Sequence, residues 1–338
     1  MDLKPDSPKN NRVRPAGLGS HTFVCATLLT SVGTLFVAAH FLLVLMSGWH
    51  PVLELSVHCS LHMLIAVVLL LPLSIVLGKR RSAVILGLSG AYLVFLVQPW
   101  SLIPVKEAAM DPTYTREIRV LSWNVLAGNH RLEDLASLIK AEDPDVLILI
   151  EVRPGLLDDL PEISARYPIA LAKPGWQGGG IAAFSRVLGT EFRFEDFGYP
   201  DQPAVLATIP AAPAQAEKKL ELLAMHTFSP LPILRTEHRD RQLSEFAKWS
   251  TSRQGPICLV GDLNVTPWAR SFHQLLNCGF KDSRAGVGNC ASWPRALGFL
   301  GIPIDHVLFR GQCQVANRRV LDRGPGSDHL PIAFTIRF

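Results

Sequence analysis

Six polar punctuations mark the chain after its first third. Asn124 closes "LSWNV", Glu151 closes "LILIEV", and His226 follows an apolar run in "LLAMHTFSP". Asp262 and Asn264 end "CLVGDLN", Asp305 and His306 sit in "IPIDHVLF", and Asp328 and His329 stand side by side in "GPGSDHLPIA". Carboxylate and amide oxygens suit a hard cation such as Mg²⁺ or Mn²⁺, held by one or two carboxylates with water and substrate phosphate. Imidazoles serve as acid, base or phosphate donor near neutral pH. A remaining carboxylate can orient an imidazole. Together these groups supply what a metal-assisted reaction at phosphorus requires.

Each signal read alone has a plainer account. A Glu after an apolar strand is commonly a solvated edge residue, "GDLN" is good turn chemistry, and His226 could be a hydrogen-bonded core histidine. Asp305 and His306 alternate faces of one strand, so only one can enter a shared site. Asp305 is the candidate, and His306 is assigned to structure. What favours chemistry is the recurrence, because ligands of α/β sheets bind at strand ends.

The elements that must position these groups are strands. From Arg116 onward strands and helices alternate, beginning with Glu117 to Val125 and Asp145 to Val152. The second run is almost continuously apolar, as in a strand covered on both faces. Further strands are expected near 168–172, 179–185, 190–197, 204–210, 219–226, 256–261, 304–309, 313–320 and 332–337. Leu132, Leu135 and Ile139 give one helix its apolar stripe, and Leu243, Phe246 and Ala247 give another, spanning Thr236 to Ser250. Many strands with few helices imply an α/β fold in four layers, two packed mixed sheets flanked by helices.

The first third reads differently. Thr22 to Met46, Val57 to Gly78 and Ala83 to Ile103 contain no Asp, Glu, Lys or Arg. Each reaches the roughly 20 apolar residues that cross a bilayer core. Three transmembrane helices are therefore expected within 21–103, after a polar tail (1–20) and before a linker (104–115) and a catalytic domain (116–338). Lys4, Lys9, Arg12 and Arg14 precede the first span, Lys79, Arg80 and Arg81 lie between the second and third, and the first loop has no basic residue. The positive-inside rule puts the N-terminus in the cytoplasm and the domain outside, on a cell (inner) membrane. Trp49 and Trp100 fall where interfacial aromatics are expected.

Of 33 Lys and Arg, those seven lie in the first 103 residues against Asp2, Asp6 and Glu54, so residues 104–338 hold 26 basic and 26 acidic residues. The net charge of +4 is thus a topology signal. It is no nucleic-acid footprint, which needs a basic face. Cys278 and Cys290 flank a Gly-rich loop and could pair in an oxidising compartment, while Cys258 reads as buried and free.

The ordered set "SWNV", "IEV", "GGGIAAFSR", "MHTFSP", "VGDLN", "SWP", "IDHV" and "GSDHLP" resembles the endonuclease/exonuclease/phosphatase superfamily, over about Arg116 to Phe338. The resemblance implies a metal-dependent phosphoesterase of deoxyribonuclease I-like fold. It implies Glu151 as principal metal ligand, with Asn124 beside it and Asp328 nearby. His226 would contact the scissile phosphate, Asp262 would orient or deprotonate water, and Asn264 would hold a phosphate oxygen. Asp305 would pair with His329 at the phosphorus centre. Many members carry Gln before the metal-binding Glu, where this chain has Ile150.

Three functions follow as expectations: a membrane-anchored phosphodiesterase or phosphatase, a surface nuclease acting on DNA or RNA, and a catalytically silent binding module. "ALGFLGIP", just before Asp305, is either a buried loop or an exposed one that could rest on lipid and favour a phospholipid substrate. The topology has a direct test. An alkaline phosphatase reporter fused after Phe338 should be active, and a reporter that works only in the cytoplasm would overturn the outward placement.

Overall fold

The computed structural model describes residues 20–106, 113–176, 178–212, 218–231 and 235–338. The expected polar tail, apart from Ser20, and the middle of the expected linker lie outside the described residues. The chain divides into two compact units, Met1–Val97 and Gln98–Phe338.

In the first unit, three helices are long and apolar enough to cross a membrane, His21–Leu45, Pro51–Val76 and Arg80–Val97. The third ends earlier than the uncharged run, because Gln98 takes a left-handed conformation just before Pro99. Leu35, Phe36, Leu69 and Phe95 point outward and are exposed, as lipid-facing side chains would be. Small residues let the helices approach: a Cβ on Gly90 would lie 2.8 Å from a Val67 methyl. Lys79 turns inward and donates to the Thr27 carbonyl at 2.7 Å and to the Ser31 hydroxyl.

The second unit contains twelve strands among its described residues. They are β1 (Glu117–Asn124), β2 (Val146–Ile150), β3 (Ile169–Lys173), β4 (Ile181–Ser185), β5 (Glu191–Glu195) and β6 (Ala204–Pro210). They continue with β7 (Lys219–Ala224), β8 (Ile257–Asp262), β9 (Lys281–Asp282), β10 (Asp305–Arg310), β11 (Gln314–Val320) and β12 (Ile332–Arg337). One sheet runs β11-β12-β1-β2-β4-β3 and the other β5-β6-β7-β8-β10-β9. Each is mixed, with a parallel pair at its centre, β1 with β2 and β7 with β8. This is the expected architecture of two sheets flanked by helices. Every strand expected from the sequence is present. The unexpected one, β9, is two residues long and has no pattern to read.

The core follows from the alternation of side chains along each strand. Val120, Ile148 and Ile150 of the first sheet meet Val205, Leu222 and Val260 of the second. The opposite face of the first sheet places Trp123, Leu147 and Leu149 against Leu135 and Ile139 of the helix Leu132–Glu142. Burial on both faces explains why "VLILI" has no polar position. Helix Arg235–Thr251 buries Leu243 and Phe246, and helix Arg270–Asn277 buries Phe272 and Leu275. Arg310 of β10 fastens the ends of both, donating to the Ser250 carbonyl at 2.5 Å and to the Cys278 carbonyl at 3.0 Å. Cys258 is buried and free as expected, and Cys278 and Cys290 are also unbonded.

One departure matters for the site. The "RALGFL" segment forms a 3₁₀ stretch, Arg295–Leu300, with no buried residue. The buried-loop alternative is therefore wrong: Leu297, Phe299 and Leu300 are exposed, Phe299 at 83%. Gly298 explains part of this, because its φ of +53° turns the backbone out of a single helical run.

Candidate active site

Strand direction brings the polar residues together. Asn124, Asp262 and, just beyond their strands, Glu151 and His226 follow the C-terminal ends of the two parallel pairs. The antiparallel neighbours β12 and β10 supply residues at their N-terminal ends, so His329 and Asp305 arrive at the same edge. Asp305 sits opposite Asp262 in the β8–β10 register. The next residue, His306, points the other way as expected. Its Nε2 lies 2.7 Å from the Val265 carbonyl, and burial pushes it down to about 4.

Asp305 Oδ2 and His329 Nδ1 are 2.8 Å apart, and both side chains are buried. The Asp262 carboxylate lies 3.7 Å from the other ring nitrogen of His329 and 3.8 Å from Nε2 of His226. Burial disfavours charge on His329, but Asp305 and Asp262 outweigh it and raise the imidazole to about 10. Burial would likewise raise Asp305, yet the charge and hydrogen bond of His329, helped by Ser292, hold it below the ordinary carboxylate value. Asp262 is the exception: burial and the neighbouring Asp305 charge push it up to about 6, against the pull of both histidines. The arrangement is an imidazolium between two acids, one firmly ionised and one poised near neutrality.

The first sheet contributes Asn124 and Glu151. Asn124 Nδ2 donates to Glu151 Oε1 at 2.9 Å and to Asp262 Oδ2 at 3.0 Å. With the His329–Asp305 bond, it bridges the two sheets at the site. Glu151 takes a φ of +62°, uncommon for a residue with a side chain, and its Oε2 accepts from the Ala127 amide at 3.2 Å. Gly178 makes room for it, since a Cβ there would lie 3.4 Å from the Glu151 carboxyl carbon. Asn264, at φ +48°, donates its backbone N–H to Asp262 Oδ1 and its Nδ2 to the Thr227 carbonyl. Asp328 stays outside the buried group, exposed at the rim, where Oδ2 accepts from the Trp293 indole at 2.9 Å.

Several supporting residues carried no role in the sequence reading. Ser327 donates to the Asn124 carbonyl at 2.7 Å and accepts from the His329 amide at 3.0 Å, which ties the "GPGSDH" turn to β1. Asn129 clamps the same turn through the Pro325 carbonyl. Gly326, at φ +75°, passes so close to Asn129 that a Cβ would collide with Oδ1. Ser292 accepts the Asp305 amide at 3.2 Å. Ser292, Trp293 and Ser327 lay within quoted motifs; Asn129 had no signal beyond being a polar residue in a turn.

Glu151 offers carboxylate oxygens that accept from two N–H groups among the described residues, so it suits a hard cation. Asn124 meets it through nitrogen, with Oδ1 bonded to the Leu126 amide. Ligation by Asn124 therefore needs a half-turn of its amide. Asp262, Asp305 and His329 also bring possible ligand atoms within 4.8 Å of one another. Either Glu151 or this cluster could hold a cation.

Comparison with known proteins agrees with the fold. The profile of the Endonuclease/Exonuclease/phosphatase family matches residues 121–329. Among solved structures, Danio rerio TDP2 complexed with single-strand DNA product is similar with a TM-score of 0.52 at 17% identity, over 66% of this chain and 99% of that one. A humanized D. rerio TDP2 is similar at 0.53 and 18%, over 66% and 99%. The human Nocturnin catalytic domain with bound sulfate gives 0.50 and 17%, over 65% and 94%. No curated protein matches the sequence.

The Asp305–His329 pair predicts non-additive losses. Asp305→Asn and His329→Gln should each cut turnover by roughly 10²-fold or more, and the double variant should fall little below the worse single one. Multiplied losses in the double variant would show that the two act separately.

Proposed function

This chain belongs to the endonuclease/exonuclease/phosphatase family, and on that premise we propose that it is a divalent-cation-dependent hydrolase of phosphate esters, held at a membrane. The observation that carries the chemistry is the buried His329 imidazole set between the Asp305 and Asp262 carboxylates, with Glu151 adjoining through Asn124.

Glu151 would hold Mg²⁺ or Mn²⁺, with Asn124 and Asp328 as further candidates. When bound, the cation would neutralise charge developing on the phosphate oxygens. The protein groups have separate tasks. Asp262, raised to about 6, orients the attacking water and accepts its proton. His329 faces the phosphate with a positive charge and stabilises the crowded phosphorus centre. Asp305 keeps that ring aligned and charged. His226, whose buried Nδ1 has no partner among the described residues, contacts a phosphate oxygen from the other side of Asp262. Asn264 keeps one amide hydrogen for a second oxygen.

These roles fix the pH profile. The useful form of Asp262 appears as pH rises through about 6, and the useful form of His329 disappears as pH rises through about 10. With bis-p-nitrophenyl phosphate, kcat/KM should climb through the first value and fall toward the second. In His329→Gln the residual activity should lose its alkaline limb. A profile that stays flat from pH 5 to 8 would contradict the assignment of Asp262.

For the substrate, we favour a phospholipid or other lipid-linked phosphate ester over nucleic acid. Three apolar helices support a membrane anchor, and the linker keeps the domain at high local concentration near head groups. Phe299, Leu297 and Leu300 expose an apolar surface shortly before Asp305. The balanced charge of the domain gives little nonspecific attraction for DNA. The DNA product in the TDP2 structure keeps a nuclease as the second reading.

Full-length enzyme should hydrolyse phospholipid vesicles with Mg²⁺ and lose this with chelation or Glu151→Gln. Phe299→Ser should lower vesicle turnover several-fold and leave bis-p-nitrophenyl phosphate unaffected. Efficient cleavage of duplex DNA, with vesicles untouched, would reject the lipid reading.

A further inference from the structure

A cavity of about 600 Å³ opens beside the catalytic group without including any of its polar residues. It lies between the loop Val287–Ala291, the 3₁₀ stretch, and the end of β11. That volume is in the range of small-molecule sites. Much of its wall is apolar, formed by Val287, Ala291, Phe299, Val320 and Leu330. Arg295 and Arg318 add positive charge. Arg319 also lines it but is paired with Glu142 at 2.5 Å, and Asp322 is its one carboxylate.

Arg318 is the informative residue. It is only 6% exposed, and its Nε and Nη1 have no hydrogen-bond partner among the described residues. Its remaining contact is from Nη2 to the Asp305 carbonyl at 3.4 Å. A buried guanidinium without an anion is costly, because its desolvation goes unmatched. The bulge in β11 between Ala316 and Arg319, with Asn317 at φ +51°, is what carries Arg318 to the buried side. The guanidinium charge of Arg318, with that of Arg295 on the same cavity wall, suits a planar or tetrahedral oxyanion. The apolar walls call for a hydrophobic part attached to it.

We propose that this cavity is an accessory binding site for an anionic phosphate group bearing an apolar substituent, with Arg318 and Arg295 as its anion-binding side chains. It is separate from the catalytic centre and goes beyond the hydrolytic reading. It neighbours that centre through Leu330, next to His329, and through the Arg318–Asp305 contact. The site gives the enzyme a means to recognise a second phosphate in a substrate or to respond to a lipid phosphate.

Cys290, a half-buried free thiol, lines the cavity and reports on it locally. The test uses the full chain in nanodiscs of neutral lipid, with chelator present so that hydrolysis does not intervene. Iodoacetamide labelling of Cys290 is followed by peptide mass spectrometry, with phenyl phosphate as probe and phenol and inorganic phosphate as controls. Phenyl phosphate at about ten times its Kd should slow labelling about tenfold, in proportion to the filled fraction. Phenol should give no protection, and inorganic phosphate should protect only at higher concentration. Arg318→Met should abolish protection. Arg295→Gln, an exposed change with little risk to folding, should raise the half-protecting concentration about fivefold or more. Glu151→Gln should leave protection intact, which separates this site from the catalytic one. Absence of protection, its persistence in both arginine variants, or its loss in Glu151→Gln would overturn the proposal. Equal protection by inorganic phosphate would overturn its apolar half.

Discussion

The molecule is organised around one buried charge, the His329 imidazolium held by Asp305 and faced by Asp262. Two acids and a cation out of water are expensive, and their attraction offsets that cost only when the geometry is tight and the remaining polar atoms are bonded. The chain meets both conditions. Ser292 fixes Asp305, Ser327 fixes the His329 backbone, and Asn124 bridges Asp262 to Glu151. Because His329 and Asn124 belong to the first sheet and Asp262 and Asp305 to the second, the charge group also acts as the clasp where the sheets meet. Removal of one member leaves another uncompensated, so the proposed chemistry and the closed sandwich edge rest on the same residues.

Backbone direction makes this possible. A parallel pair sends two strand ends to one edge, and each antiparallel neighbour starts a strand there. Two such sheets, facing each other, deliver six polar positions to one place without any long loop having to reach across. The same edge is framed by tightly constrained turns. Glu151 and Asn264 hold left-handed backbone, and Gly326 passes against Asn129 where no side chain would fit. Strain of this kind persists where the surrounding structure over-determines it, and here it aims carboxylate and amide groups inward.

Most of this was legible because strands buried on both faces advertise themselves and polar residues at their ends stand out. "LILIE" and "CLVGD" each announce a strand and its functional terminus in one stretch. The long helix was equally clear from Leu243, Phe246 and Ala247. What stayed hidden depends on contacts distant in sequence. Nothing near Asn129 says that it clamps Pro325, and nothing in "ANRRV" separates the paired Arg319 from the buried Arg318; a bulge decides that. The two-residue β9 is set by its neighbour β10 alone. Exposure of Phe299 was undecidable from composition, because an apolar run before a strand packs inward or outward according to the glycine turn within it.

The charge of His329 is central to the proposed chemistry, and ring-nitrogen NMR reads that charge directly. In the full chain labelled with ¹⁵N-histidine, the His329 signals can be assigned by their loss in His329→Gln. At pH 8 both ring nitrogens of His329 should carry protons, while an ordinary histidine, with a pKa of about 6.5, is neutral there. A neutral His329 ring at pH 8 would contradict the proposed chemistry.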